Sequence, residues 1–102
     1  MPNRAKIGGI SDNHQDSIVG LFRDRPDVKI FLFGSRAKGN YREGSDIDLA
    51  LKGDKLTTNN INQWLEAYEA LFLPWKLDLV LYDHIEEPKL REHIDRVGIR
   101  LN

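Results

Sequence analysis

The chain is 102 residues long, 40% hydrophobic and 30% charged, with 15 Lys and Arg against 16 Asp and Glu and a formal net charge of −1. This describes one ordinary globular domain with a modest core, and it is too nearly neutral for bulk electrostatic binding to nucleic acid or an acidic membrane. Cysteine is absent, which excludes disulfides, thiol catalysis and Cys-based zinc sites; no apolar run approaches the ~20 residues that span a bilayer, and MPNRAKIGGI at the start lacks an apolar signal core, so the cytoplasm is the expected location.

Residues 1–10 hold paired glycines and no periodicity, and are expected to form a flexible arm, leaving 11–102 as the domain. Ser11 can cap a helix reaching about Arg25, with Asp12 and Asp16 near its positive end, Ile18, Val19, Leu21 and Phe22 as a short apolar stripe, and Pro26 as its stop. The stretch 28–33 reads as a buried strand. Ser35 to about Lys38 reads as one helical turn that Gly39-Asn40 breaks, and 46–51 as a second strand. Thr57 or Thr58 can cap the next helix, on which Ile61, Trp64, Leu65, Tyr68, Leu71 and Phe72 recur at helical spacing before Pro74. A third strand over 76–82 turns Leu77, Leu79 and Leu81 one way and Asp78, Val80 and Tyr82 the other. Pro88 starts a last helix to about Val97, with Leu90, Ile94 and Val97 inward and Gly98 beyond its end.

The chemistry concentrates in 30–51, IFLFGSRAKGNYREGSDIDLAL. Four apolar residues stop at Gly34-Ser35, whose backbone amides could cradle phosphates if a helical turn starts there. Acid and apolar residues then alternate, so a sheet that buries Ile47, Leu49 and Leu51 displays Asp46 and Asp48 side by side, within about 7 Å by strand rise. Like charges that close repel, and a hard cation such as Mg2+ suits the gap, since it takes carboxylate and phosphate oxygens together. Arg36, Lys38 and Arg42 place positive charge in the intervening loop, where a polyphosphate could meet it; Arg36 is the candidate taken for the nucleotide. An isolated DxD or Gly-Ser is weak, being ordinary on edge strands and in turns. Asp78 strengthens the pattern, because a carboxylate on so apolar a strand must be paired, metal-bound or at an edge. Three acids and a phosphate-cradling turn suit two-metal phosphoryl or nucleotidyl transfer, with Asp46 and Asp48 bridging the metals and Asp78 also helping to remove the acceptor's proton. His14, His84 and His93 show no ligand spacing and read as surface residues, and Trp64 reads as core. Trp75 could stack on a base, though packing is the commoner role.

Gly34-Ser35, ten further residues, Asp46-Ile47-Asp48 and a later Asp78 resemble the signature of the DNA polymerase beta-like nucleotidyltransferase superfamily. FGSRAKGNYREGSDIDLAL and the small size resemble its minimal nucleotidyltransferase (MNT) branch. The resemblance implies an α/β (α+β) nucleotidyltransferase fold, a small mixed β-sheet with helices packed on one side. It also implies that Gly34 and Ser35 bind the phosphates of ATP and that Asp46, Asp48 and Asp78 bind Mg2+. Members of this size are often antitoxins paired with a HEPN-domain RNase toxin, and some transfer AMP from ATP to a tyrosine of that toxin, which silences it. Two alternatives stand beside this expectation: an antitoxin that neutralises by contact, against which the retained acid cluster argues, and a small-molecule nucleotidyltransferase, whose usual extra helical domain is absent. Direct nucleic-acid binding is not expected, and homo- or hetero-oligomers are open.

Overall fold

The computed structural model describes residues 5–102. Lys29–Phe33 (β1), Ile47–Lys52 (β2), Leu77–Leu81 (β3) and Ile99–Arg100 (β4) form a mixed sheet in the order β3-β2-β1-β4. β1 runs antiparallel to β2 and β4, and β2 runs parallel to β3. The helices are Asp12–Val19 (α1), Ser35–Lys38 (α2), Thr58–Glu69 (α3) and Pro88–Val97 (α4). The α3 and α4 starts follow their capping chemistry: Thr57 caps α3 in a reciprocal box with Asn60, and Pro88 opens α4 behind a capping Glu87.

Alternation sorts each strand between two apolar clusters. Ile30, Leu32, Ile47, Leu49, Leu51 and Leu77 pack with Ile18 and Phe22 after α1 and with Trp64 and Tyr68 of α3. Each fully buried Leu or Ile there contributes about 1.5–3 kcal/mol. The indole N–H of Trp64 donates to Asp24 and the Tyr68 hydroxyl to the Trp75 carbonyl at 2.6 Å, so the polar ends of both rings are satisfied. On the opposite face Phe31, Phe33, Ala50 and Val80 meet Leu90, Ile94 and Val97 of α4. Helices therefore cover both faces, a correction to the expected one-sided packing: α4 carries its own apolar stripe at i, i+4 and i+7, and the phenylalanines of β1 give it somewhere to bury. The acids Asp48 and Asp78 share that face, at the end where β2 and β3 begin.

Three further differences have physical causes. Of the expected arm, residues 1–4 lie outside the described residues, while 5–10 pack on the domain. Ile7 and Ile10 are buried, and buried Gln15 ties the segment down by accepting from the Ile7 N–H and donating to the Ala5 carbonyl, both at 2.8 Å. α1 ends at Val19 and continues only as a 3-10 turn over Gly20–Phe22, short of Arg25. The fourth strand escaped the sequence reading because it is two residues long; Asn102 prolongs its ladder with a side chain, accepting from the Ile30 N–H at 2.9 Å and donating to the Val28 carbonyl at 2.7 Å. Among the described residues no helix is long and apolar enough to cross a membrane.

Candidate active site

The site forms where β1 ends, β2 begins and β3 runs alongside. Phe33 pairs with Asp48 across β1–β2, and Asp48 pairs with Asp78 across β2–β3. Chain geometry alone thus sets two carboxylates abreast on neighbouring strands, about 4.8 Å apart in the pairing direction. Their side chains are close enough for each charge to act on the other. Burial first, and then the charges of Asp78 and Asp46, push the Asp48 carboxyl up to about 6, with Lys76 opposing the rise. Two carboxylates abreast, one of them held above its usual range, are the donor set a hard cation would relieve.

Gly34 is the hinge that brings backbone to this pair. Its φ of 75° and ψ of −158° lie in a region that is essentially glycine's alone. A Cβ there would sit 2.4 Å from Asp48 Oδ2, so the main chain passes over the carboxylate at a distance no side chain permits. The turn it starts, α2, stops at Gly39 in the left-handed conformation (φ 89°). The Gly34 carbonyl accepts from Ala37 and Lys38, and the Ser35 carbonyl from Gly39. The amides of Ser35 and Arg36 stand at the start of this turn, where no preceding helical carbonyl exists to receive them. They are suited to an anion such as a phosphate.

Of the residues expected from sequence, Gly34, Asp48 and Asp78 are brought together, with Ser35 adjacent. Asp46 precedes β2 rather than lying in it, so strand alternation does not hold its side chain; its charge is felt at Asp48. Among the described residues no group of three acidic, His or Cys side chains is gathered as a ready-made metal site; a close Asp48–Asp78 pair with Asp46 nearby replaces the expected three-way convergence. Arg36 is corrected. It is 3% exposed, and its guanidinium donates twice to the Ser45 carbonyl (3.0 and 2.8 Å), once to Glu43 (3.0 Å) and once to Gly8 (2.7 Å) while stacking on Tyr41. Its charge is spent on backbone, fastening the loop that leads to Asp46, and its side chain is not offered to a nucleotide.

Two residues were undervalued. Lys76, two positions before Asp78 and just ahead of β3, sets its ammonium 3.7 Å from Asp78 Oδ1; a cation so close in the chain to the third acid was the signal. His93, read as surface, packs edge-on against Phe33 on the acid-bearing face. Trp75 packs between His14 and Arg36.

The family model of the nucleotidyltransferase domain matches residues 16–98. A Methanocaldococcus jannaschii protein provisionally named a protein adenylyltransferase is 35% identical over 78 residues, covering 74% of this chain and 78% of that protein. The Haemophilus influenzae protein provisionally named protein adenylyltransferase MntA is 38% identical over 75 residues, covering 72% of this chain and 65% of that one, so the chain spans just under two thirds of that relative. In a solved toxin–antitoxin structure with AMP-PNP, one chain superposes with a TM-score of 0.69 at 27% identity, covering 86% of this chain and 72% of that one. The solved complex of tri-AMPylated Shewanella oneidensis HEPN toxin with MNT antitoxin has the same fold, with a TM-score of 0.66 at 24% identity over 91% of this chain and 72% of its counterpart.

Proposed function

We propose a function from one premise: the chain belongs to the nucleotidyltransferase domain family. It transfers AMP from ATP to a tyrosine of a partner HEPN toxin, and so acts as the antitoxin. The observation that carries the reading is the Asp48–Asp78 pair in register across two strands, with the Gly34 backbone laid against Asp48. Relatives provisionally named protein adenylyltransferases, and fold neighbours solved as toxin–antitoxin complexes with AMP-PNP or with an AMPylated HEPN toxin, support the substrate and the partner.

In this reading the amides of Ser35 and Arg36 and the Ser35 hydroxyl hold the terminal phosphates, and the Gly34 turn keeps side chains out of their way. The tyrosine oxygen attacks the α-phosphorus; a new O–P bond forms, the bond to the bridging oxygen breaks, and pyrophosphate leaves with that electron pair. Asp78 takes the hydroxyl proton. The paired acids fit a divalent cation, and Asp46, Asp48 and Asp78 would hold Mg2+, which supplies charge neutralisation at the phosphates. The Lys76 ammonium stands 3.7 Å from Asp78 Oδ1 in the free protein.

Incubating the chain and the HEPN toxin with ATP labelled in the α- or the γ-phosphate tests the reaction type. Adenylyl transfer puts the α-label on toxin tyrosine and releases the γ-label as pyrophosphate. Label on the toxin from the γ-phosphate would make this a kinase reaction and overturn the proposal.

A further inference from the structure

Phe72 occupies a position that folding alone does not explain. Its φ is 53°, the left-handed region in which a Cβ crowds the backbone and glycine or asparagine is the usual resident. Its side chain is 91% exposed, where the next large apolar residue among those exposed, Tyr41, reaches 37%. The turn itself is fixed, with the Leu71 N–H donating to Tyr68 at 2.9 Å and the Phe72 N–H to Glu69 at 3.1 Å. A glycine would make the same turn without strain and without an aromatic ring in water. Phe72 overhangs a groove of about 570 Å³ shared with Leu65, Leu73, Trp75, Lys76 and Leu77.

That groove opens onto β3, the outermost strand of the sheet. The Lys76 carbonyl accepts from the Ile47 N–H at 2.9 Å, and alternate residues of a parallel strand point the same way. Asp78 and Val80 therefore bond inward to β2, while Leu77, Leu79 and Leu81 turn their N–H and C=O groups outward. Among the described residues no strand pairs with this side of β3, and the 3-10 turn over Tyr82–His84 starts from Leu81 at its far end. A segment laid along this edge would lie about 4.8 Å from β3, and its residue opposite Asp78 would project from the same face as Asp78. A nucleotide has no backbone ladder to offer such an edge; a protein acceptor does.

We propose that the β3 edge and the Phe72 groove are the seat of the acceptor protein. An extended segment of the HEPN toxin pairs with β3, its acceptor tyrosine falls in register with Asp78, and an apolar pocket of the toxin closes over Phe72. This rests on the adenylyltransferase reading. The test is hydrogen exchange on the chain alone and with the HEPN toxin, without ATP, together with transfer kinetics of Phe72→Gly. The amides of Leu77, Leu79 and Leu81 slow when toxin binds. Phe72→Gly relieves the left-handed strain, so it melts higher than the parent and binds AMP-PNP equally well, yet its KM for toxin rises on the order of tenfold, the scale of losing an aromatic anchor. Transfer to the toxin with an unprotected edge, or an unchanged KM in Phe72→Gly, overturns the seat and leaves the activity standing. Absence of both transfer and binding by the parent chain overturns the activity, and the seat with it. Protection that grows on concentrating the chain alone would assign the edge to a second copy and likewise overturn the proposal.

Discussion

Replacing Asp48 by Asn isolates the electrostatic cost of the acid pair. The Asp48 carboxyl is raised from 3.8 to about 6, by burial first and by Asp78 and Asp46 next. At about 1.4 kcal/mol for each tenfold change in proton affinity, this amounts to at most about 3 kcal/mol. Asp48 is partly solvated, and screening reduces the figure to about 1–2 kcal/mol. The sign follows from proton counting. Below about pH 4 folded and unfolded chains both hold the proton and this group costs nothing. Between 4 and 6 the unfolded chain has released it while the folded chain still binds it, so stability falls as pH rises; above about 6 the loss is complete. Asn keeps the shape without the charge. Thermal melts in chelator should therefore show Asp48→Asn more stable by about 1–2 kcal/mol at pH 7.5, roughly 5–15 °C for a domain of this size, with the gain vanishing near pH 4. A melting point that falls at pH 7.5, or a gain that does not vary with pH, would show that the acid pair carries no such electrostatic cost.

The phosphate cradle is tested by Gly34→Ala, which meets a strain of about 1–3 kcal/mol and a 2.4 Å approach to Asp48 Oδ2; it should lower the melting point and abolish calorimetric binding of AMP-PNP with Mg2+, whereas Ser35→Ala, which leaves the amides, weakens binding less. Arg36→Ala removes four hydrogen bonds to three carbonyls and should cost roughly 2–4 kcal/mol in denaturant melts, within the range for bonds from a charged donor; stability equal to the parent would show that the guanidinium does not fasten the loop. Asp78→Asn should still bind toxin in gel filtration while transfer falls by about 10²–10⁴, the scale of a general-base contribution.

Much of the site was legible because strand alternation is unforgiving: once Ile47, Leu49 and Leu51 are inside, Asp48 must be outside, and the same holds for Asp78 opposite Leu77 and Leu79. Gly34 was legible as the abrupt end of an apolar run. Arg36 was misread because the sequence shows only a cation beside a Gly-Ser turn; that it is buried and consumed by the carbonyls of Gly8, Glu43 and Ser45 depends on contacts 7 to 28 residues away. Asp46 was placed one residue too far into its strand, and strand ends carry no side-chain signal of their own. The packing of 5–10 hung on two isoleucines and a buried glutamine, too few for any periodicity. Helices on both faces were foreshadowed by Phe31, Phe33 and Val80, apolar residues on the very face that carries the acids.

If the proposed function holds, the paired acids beside Gly34 carry out adenylyl transfer to a protein. The intact mass of the HEPN toxin, after incubation with ATP, Mg2+ and either the parent chain or Asp78→Asn, tests it most directly. The parent should add one or more adenylyl groups to toxin tyrosine, and Asp78→Asn, bound to the toxin just as well, should add none in the same time. Equal adenylylation by the two, or an unmodified toxin bound by an active-site-intact chain, would contradict it.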